Sequence, residues 1–179
     1  MLAQDDAYSD AALSGVFVDN HDQPRFLCDA GGAVDRLRLA LAFALTVRGV
    51  PIVYYGTEQG FGDCANNRAD MRFEPASPLY AWIRQLNAVR AATPGLRTGA
   101  QRERWQDDTA YAFERGDSVL VVFNSAGTAR TLALRTSIPP GSTLRDALGT
   151  TAGATVDGGG NVSVTIPART VLVLVRSSV

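Results

Sequence analysis

The first half of the chain alternates short apolar runs with longer stretches of helical periodicity. Residues 15–18 form a continuous apolar run with β-branched and aromatic side chains, which predicts a short buried strand. Residues 34–49 carry apolar side chains at helical spacing and end at a glycine, which predicts a helix. A second strand is predicted for residues 51–55. A second helix is predicted to begin after the capping residue Ser77 and to end at residues 94–95.

This strand–helix–strand–helix order predicts an α/β arrangement in the first half of the chain. Buried strands that are joined by crossover helices pair in parallel, as they do in doubly wound folds and in (β/α)8 barrels. A complete barrel takes about 250 residues, and this half offers only two strand–helix units. The pattern therefore predicts either a small open sheet or the last part of a barrel.

The second half changes to the period of β-strands. Two strand runs flank a turn at residues 115–117, which is a hairpin signal, and further strand runs begin near residues 129, 161 and 169. Turn clusters rich in glycine and proline separate them. Short strands at this spacing predict an antiparallel β-sandwich. The predicted domains are therefore residues 1–97 and residues 98–179.

Composition and charge exclude several functional classes. The 179 residues are 46% hydrophobic and 20% charged, with a net charge of −1, which is typical of a globular protein. A charge so close to zero gives no electrostatic reason to expect a nucleic-acid partner. No run approaches the roughly 20 apolar residues of a membrane span. The acidic and polar N-terminal stretch does not predict a signal peptide.

The two cysteines, Cys28 and Cys64, each follow a predicted strand and leave two interpretations open. A disulfide between neighbouring loops is one, and two free thiols are the other. With a single histidine in the chain, the usual Cys/His zinc spacings are not met, so no metal site is predicted.

Candidate chemistry is concentrated directly after the first predicted strand, in the stretch FVDNHD. Asp19, Asn20, His21 and Asp22 stand where parallel-sheet enzymes place functional groups, at the carboxyl end of a strand. The competing interpretation is turn chemistry, since Asp and Asn end strands well. No Gly-x-Ser-x-Gly elbow and no phosphate-binding glycine loop is present in the sequence.

FVDNHD resembles the fourth signature region of the α-amylase family of glycoside hydrolases, at the end of the seventh barrel strand. Further segments agree in the same order: the helical LALAFALTVRG, the strand and loop GVPIVYYGTEQGF, the loop segment NNRADMRF and the β-rich tail. The resemblance is closest to bacterial α-amylases and cyclodextrin glucanotransferases. It implies the last two βα units of a TIM barrel followed by the β-sandwich domain.

The resemblance also implies roles for individual residues. Asp22 matches the carboxylate that binds sugar hydroxyls and stabilises the transition state, and His21 matches a histidine that binds the same sugar. Arg68 matches an arginine that contacts glucose units on the donor side, with a surface ion pair as the competing interpretation. Relatives often carry an acid where this chain has Cys64, so Asp63 is an uncertain sugar ligand.

The remaining conspicuous side chains are interpreted as structural. Glu58 is expected in a hydrogen-bond network at the barrel mouth, and Arg25 is expected to anchor a loop. The aromatic side chains are expected to pack in the core, at the barrel rim or at a domain interface; these are Tyr54, Tyr55, Trp82 and Trp105.

The nucleophile and the general acid/base of the family lie in signature regions that precede FVDNHD and are not found in this chain. The resemblance therefore implies a carboxyl-terminal fragment that is inactive alone and assembles with the missing upstream barrel half if that half is expressed separately. The parent enzyme is expected to be extracellular, to act on α-glucan and to hold calcium. Hydrolysis and transglycosylation are not distinguished. The alternatives are a noncatalytic carbohydrate-binding or structural module, or a truncated gene model.

Overall fold

The computed structural model describes residues 7–73 and 77–177, and it divides into two compact units, residues 1–83 and 84–179. In the first unit, the parallel strands β1 (Gly15–Phe17) and β2 (Val50–Ile52) pair with Gly15 opposite Val50. The helices α1 (Phe26–Asp29) and α2 (Val34–Thr46) connect them, and a 3-10 turn, Thr57–Gln59, follows. The predicted parallel pairing is confirmed.

The strand β2 is shorter than its sequence predicts, and the reason is tertiary. Residues 53–55 were expected to continue the strand, yet pairing stops at Ile52 because the partner strand has only three residues. Tyr54 and Tyr55 instead leave the sheet, and their rings lie around the guanidinium of Arg25. The predicted rim packing of these tyrosines is therefore observed.

The helix α2 buries one face and ends three residues before the predicted glycine stop. Leu37, Leu41 and Leu45 are almost fully buried, as their spacing predicts. The hydroxyl of Thr46 donates to the carbonyl of Ala42 at 2.7 Å in the last turn. Gly49 then has a φ of 109°, a conformation that favours glycine, and the chain turns there into β2.

The helix α3 (Pro78–Ala92) begins as predicted, with the hydroxyl of Ser77 accepting from the amide of Tyr80 at 3.1 Å. Trp82 is buried, and its indole donates to the carbonyl of Arg38 at 3.0 Å, so its expected packing role is confirmed. Proline and glycine at residues 94–95 do not end helical structure. They open a short further helix, α4 (Pro94–Thr98), in which the proline occupies a position that needs no amide donor.

The second unit is built from two antiparallel sheets. The larger sheet orders six strands as β3–β4–β5–β10–β7–β8, and the smaller pairs β6 with β9. Their bounds are β3 (Gln101–Gln106), β4 (Ala110–Arg115), β5 (Val119–Asn124), β6 (Arg130–Arg135), β7 (Thr143–Asp146), β8 (Ala154–Thr155), β9 (Asn161–Ile166) and β10 (Thr170–Arg176). Apolar residues from both sheets form one buried cluster, which confirms the sandwich.

The sequence did not predict β7 or β8, and the expected packing of Trp105 is not observed. The strand β7 lies between turn clusters and carries only one apolar residue in the core, Leu144. Trp105 on β3 is 37% exposed, and its indole donates to a carboxylate oxygen of Asp107 at 2.7 Å. Its expected packing role is not observed because β3 is an edge strand whose outer face meets solvent.

A buried carboxylate ties β4 to the chain after β6. The side chain of Glu114 is fully buried and accepts from Arg104 at 2.5 Å, from the Ser137 hydroxyl at 2.6 Å, and from the Thr136 hydroxyl. Burial raises the pKa of Glu114, but these hydrogen bonds outweigh it and leave the pKa below its ordinary value.

We expect Glu114 to make the second unit acid-sensitive. A depressed pKa stabilises the folded state above the unfolded pKa of about 4.3, and that stability is lost as the pH falls through the folded pKa. Glu114→Gln should therefore lower stability at pH 7 and flatten its decline below about pH 4.3. Urea unfolding followed by Trp105 fluorescence at pH 7 and pH 3, in a Trp82→Phe background so that only the second unit reports, checks this. The exposed Glu103→Gln is the matched control, and an unchanged acid dependence in Glu114→Gln contradicts the assignment.

Within residues 7–73 and 77–177, no helix is both long enough and apolar enough to cross a membrane.

Candidate functional site

The predicted site residues lie in two loops that leave the same edge of the parallel sheet. We call residues 18–25, which follow β1, the first loop, and residues 53–73, which follow β2, the second loop. Because β1 and β2 run in parallel, their carboxyl ends lie side by side. This places FVDNHD next to the loop that carries Arg68.

A buried carboxylate fixes the base of the first loop. Asp19 is only 4% exposed, and its two oxygens accept from the amide of Phe26 at 2.7 Å and the hydroxyl of Thr57 at 2.6 Å. The nearest guanidinium nitrogen of Arg25 lies 3.9 Å from the same carboxylate. Asp19 therefore joins the first loop to the second, and its occupied oxygens leave it no catalytic role.

Arg25 is fully buried among aromatic rings of the second loop. The centre of its guanidinium lies 4.3 Å from the ring of Tyr54, 5.2 Å from that of Tyr55 and 5.4 Å from that of Phe61. Its Nη1 donates to the carbonyl of Tyr55 at 2.8 Å. The expected role of Arg25 as a loop anchor is confirmed, with cation–π contacts that the sequence did not reveal.

Tyr55 also contacts the part of the second loop that carries Arg68. Desolvation and the neighbouring Tyr54 hydroxyl raise the pKa of Tyr55 above its usual value, so its phenol stays protonated. The hydroxyl donates to the carbonyl of Ala69 at 3.0 Å, next to Arg68. This hydrogen bond ties the backbone beside Arg68 to the aromatic rings around Arg25.

Three of the four predicted site residues lie together on the surface above this base. The Nε2 of His21 is 3.3 Å from a carboxylate oxygen of Asp22, and the Nη2 of Arg68 is 3.8 Å from the same oxygen. Their side chains are 63%, 65% and 65% exposed. An imidazole, a carboxylate and a guanidinium are thus presented to solvent within hydrogen-bonding reach of one ligand.

Asp63, the fourth predicted residue, does not join this group. It is exposed, and its carboxylate accepts from the amide of Ala65 at 2.8 Å, which stabilises a local turn. Within the described residues it shares no hydrogen bond or ion pair with His21, Asp22 or Arg68.

Asn67, which sequence reasoning did not single out, connects the two loops. Its amide donates to the carbonyls of His21 at 2.9 Å and Gln23 at 2.8 Å. Arg68 adds a hydrogen bond from Nε to the same His21 carbonyl at 3.1 Å. The available signal was an asparagine directly before the predicted sugar-binding arginine.

Cys28 and Cys64 form a disulfide, which decides between the two open interpretations. Their Cα atoms are 5.3 Å apart, and 36 residues separate them in the chain. Cys28 lies in α1, directly after the first loop, and Cys64 lies in the second loop. The bridge therefore joins the same two segments that Asn67 and Arg68 connect.

The exposed group can bind hydroxyls and stabilise positive charge, because the carboxylate of Asp22 faces solvent with acceptor oxygens available to a ligand. Glu58 accepts from the Ser77 hydroxyl through its backbone carbonyl.

No group of three or more metal-ligating side chains lies together within the described residues.

Comparison with known proteins identifies the family of this chain. The model of the alpha-amylase catalytic domain matches residues 1–119, and the model of the alpha-amylase C-terminal all-beta domain matches residues 105–177. The chain belongs to the alpha-amylase family. The order of a partial barrel followed by an all-β domain is the order of these two family domains.

Among its relatives in the alpha-amylase family, a beta/alpha-amylase of Paenibacillus polymyxa is 45% identical over 141 residues, covering 72% of this chain and 12% of that protein. A cyclomaltodextrin glucanotransferase of Geobacillus stearothermophilus is 36% identical over 166 residues, covering 88% of this chain and 23% of that protein. The chain thus spans a quarter or less of these relatives' lengths. The solved α-amylase of Geobacillus thermoleovorans, in complex with acarbose, has a TM-score of 0.84 at 26% identity and covers 96% of this chain and 40% of that one.

Proposed function

We propose that this chain is the carboxyl-terminal part of a retaining glycoside hydrolase or glucanotransferase that cleaves α-1,4-glucosidic bonds in starch-like glucans. The observation that carries the proposal is the solvent-facing group of His21, Asp22 and Arg68 at the carboxyl ends of two parallel strands. Membership of a family of glycoside hydrolases and glucanotransferases supports it.

In this proposal Asp22 is the transition-state stabiliser. Cleavage of a glucosidic bond develops positive charge on the sugar ring, and a carboxylate that binds ring hydroxyls more tightly as that charge grows lowers the barrier. Asp22 suits this role because its carboxylate faces solvent, while the network beneath it fixes its backbone. It is neither nucleophile nor proton donor.

His21 and Arg68 are proposed to bind the same glucan from either side of Asp22. Both are donors to hydroxyl oxygens, and both lie within 4 Å of the Asp22 carboxylate. Arg68 would contact a donor-side glucose unit, with its guanidinium oriented by the carbonyl of His21. Asp63 remains a candidate ligand only for a longer glucan, since its carboxylate serves the turn at Ala65.

The proposed enzyme needs a nucleophile and an acid/base about 5 Å apart, and Asp22 cannot be both. We assign them to an upstream polypeptide that supplies the other barrel strands. One face of the two-stranded sheet supports this assignment, because Phe17, Val50 and Ile52 are each about half exposed there.

Calcium expected for the complete enzyme would lie outside the described residues. The Cys28–Cys64 disulfide supports an extracellular location.

The alternative is a noncatalytic carbohydrate-binding module. Trp105 favours it, since its exposed indole offers a stacking face beside polar groups. Within the described residues of the second unit, Trp105 is the one large aromatic more than a third exposed, so no aromatic row forms there. The surface group of His21, Asp22 and Arg68 is unexplained by this alternative.

A chimera tests the role of Asp22. The segment of the Geobacillus stearothermophilus glucanotransferase that matches this chain is replaced by it, and starch conversion is measured. Asp22→Asn should lower kcat by about 10²- to 10³-fold, as expected when a group that acts on transition-state charge is removed. KM should change much less, because ground-state binding keeps the other contacts.

The matched control is Asp29→Asn, which removes an exposed carboxylate from α1 near the same loop and should leave kcat unchanged within about twofold. Equal losses in both variants, or a loss only in KM for Asp22→Asn, would contradict the assigned role. Retention of starch by an inactive chimera would favour the binding-module alternative.

A further inference from the structure

We propose that the Cys28–Cys64 disulfide and Asn67 are positioning residues of the candidate glucan site, and that reducing the disulfide weakens glucan binding. The inference rests on the proposed function for its ligand, an uncharged α-glucan. Its structural part, the positioning of Arg68 relative to Asp22, stands on the contacts between the two loops.

Among the described residues, the hydrogen bonds, ion pairs and covalent bonds that join residues 62–73 to the first loop and α1 come from Asn67, Arg68 and the disulfide. Asn67 donates to the carbonyls of His21 and Gln23, and Arg68 to the carbonyl of His21. These groups are exposed, so water competes for each donor and acceptor, and the net gain of each hydrogen bond is small. The disulfide is the one connection that water cannot replace.

The disulfide shortens the stretch of chain between Arg68 and the nearest preceding fixed point of the second loop. Phe61 is buried against Gly56, and it is seven residues before Arg68. Cys64 is only four residues before Arg68. With the bridge intact, the chain that carries Arg68 is therefore tethered at a closer point, which reduces the space that its guanidinium explores.

A glycine permits the close approach that the bridge requires. A Cβ at Gly62 would lie 3.2 Å from two side-chain atoms of Leu27, the residue before Cys28. A side chain at this position would make a contact tighter than an ordinary van der Waals contact, so Leu27 or the second loop would have to shift by a few tenths of an ångström. The Gly62–Leu27 packing thus holds the backbone two residues before Cys64 close to the residue before Cys28.

The bridge is accessible to a reductant, since Cys64 is exposed and Cys28 is half-buried. A dithiol such as dithiothreitol reduces it in two thiol–disulfide exchanges. The dithiol is oxidised to its own cyclic disulfide, and Cys28 and Cys64 each end as a protonated thiol. The site is thus expected to be ordered in oxidising surroundings and loosened in reducing ones.

The expected size of the effect follows from chain length. Lengthening the tether from four to seven residues enlarges the space open to Arg68 by about twofold. Since the apparent affinity falls with the fraction of time that the site is competent, the apparent Kd should rise about twofold to fivefold once neighbouring hydrogen bonds also open.

The test uses the full chain in three forms: oxidised, reduced with dithiothreitol, and as the double variant Cys28→Ser/Cys64→Ser. Hydrogen exchange measured by mass spectrometry should be faster in residues 20–23 and 63–70 of the reduced and variant chains, and unchanged in β5. Dithiothreitol should have no effect on the variant. Asn67→Ala should accelerate exchange in residues 20–23 with the bridge intact, whereas the exposed Asn87→Ala should not.

Acarbose binding gives the second readout. The apparent Kd should be lowest for the oxidised chain and should rise by the stated factor on reduction. Unchanged exchange in both loops, exchange that accelerates equally in β5, or equal acarbose affinity before and after reduction would overturn the positioning inference. If the oxidised chain does not bind acarbose, binding is measured on the chimera; a chimera that also fails to bind contradicts the proposed function, while the exchange measurements decide the positioning role. Reduction of the natural chain keeps the test valid if the double variant does not fold.

Discussion

The chain by itself will release no reducing sugar from soluble starch, whereas the chimera with the upstream part of a glucanotransferase will. The reason is chemical. A retaining mechanism needs two carboxyl groups about 5 Å apart, one as nucleophile and one as acid/base. In the described structure, Asp22 is exposed and free to meet a sugar, while Asp19, the other aspartate of the FVDNHD stretch, is buried with both oxygens occupied.

The expected difference is large, because enzymes accelerate such reactions by at least about 10⁶-fold and one stabilising carboxylate accounts for only a small part of that. Reducing-sugar release is measured for the chain, the chimera and an equimolar mixture of the chain with the separately expressed upstream segment. Activity in the mixture, together with a co-eluting complex on a sizing column, would identify the upstream segment as the partner. Turnover by the pure chain would refute the proposed division of catalytic groups.

Arg25→Ala will destabilise the first unit by about 3–5 kcal/mol, the range found when one partner of a buried ion pair is removed. The substitution leaves the Asp19 carboxylate, which is 1% exposed, without its cation. It also removes the guanidinium that lies between Tyr54, Tyr55 and Phe61. Since domains are stable by only about 5–15 kcal/mol, this loss is enough to unfold the unit at moderate denaturant.

Part of the stability that Arg25 contributes to the wild-type protein is offset by unsatisfied polar atoms of the same side chain. The Nε and Nη2 of Arg25 are buried and have no acceptor among the described residues, so the pair is not fully satisfied. The loss of stability in Arg25→Ala is still large, because the substitution leaves the buried Asp19 carboxylate without its cation. The strength of the ion pair itself matters less. Removing both charges, in Arg25→Ala/Asp19→Asn, should therefore cost less than the sum of the single changes.

Urea unfolding followed by Trp82 fluorescence measures this, in a Trp105→Phe background so that only the first unit reports. The matched control is Arg36→Ala on the exposed face of α2, which should change stability by no more than about 0.5 kcal/mol. A change below about 1 kcal/mol for Arg25→Ala would show that Asp19 does not depend on this cation.

Local pattern was sufficient for most of the fold. The strand–helix–strand order, the parallel pairing of β1 and β2 and the hairpin at residues 115–117 all follow from periodicity and turn residues. These features depend on neighbours in the chain, which is why one sequence reveals them. The strand β7 escaped because most of its neighbours are turn residues and Leu144 is its only residue in the apolar core.

For the candidate site, too, the sequence predicted some features and the structure alone showed the others. FVDNHD and its distance from Arg68 identified His21, Asp22 and Arg68 from the sequence alone, through resemblance to a family of known order. The sequence could not say that Arg68 returns to within 3.8 Å of Asp22, that Asn67 bridges the loops, or that Asp63 stands apart. The first two are contacts between residues more than 40 positions apart, and only packing determines them.

The sequence by itself determined the family, the order of the elements and the type of side chain at the strand end, because these are written in local composition and spacing. Only the tertiary structure decided the pairing of Cys28 with Cys64, the burial of Asp19 beneath Arg25 and the exposure of Trp105. The physical reason is that each depends on which distant segments come into contact and exclude water. The sequence around each of these residues does not indicate which distant segments they contact or whether they are buried.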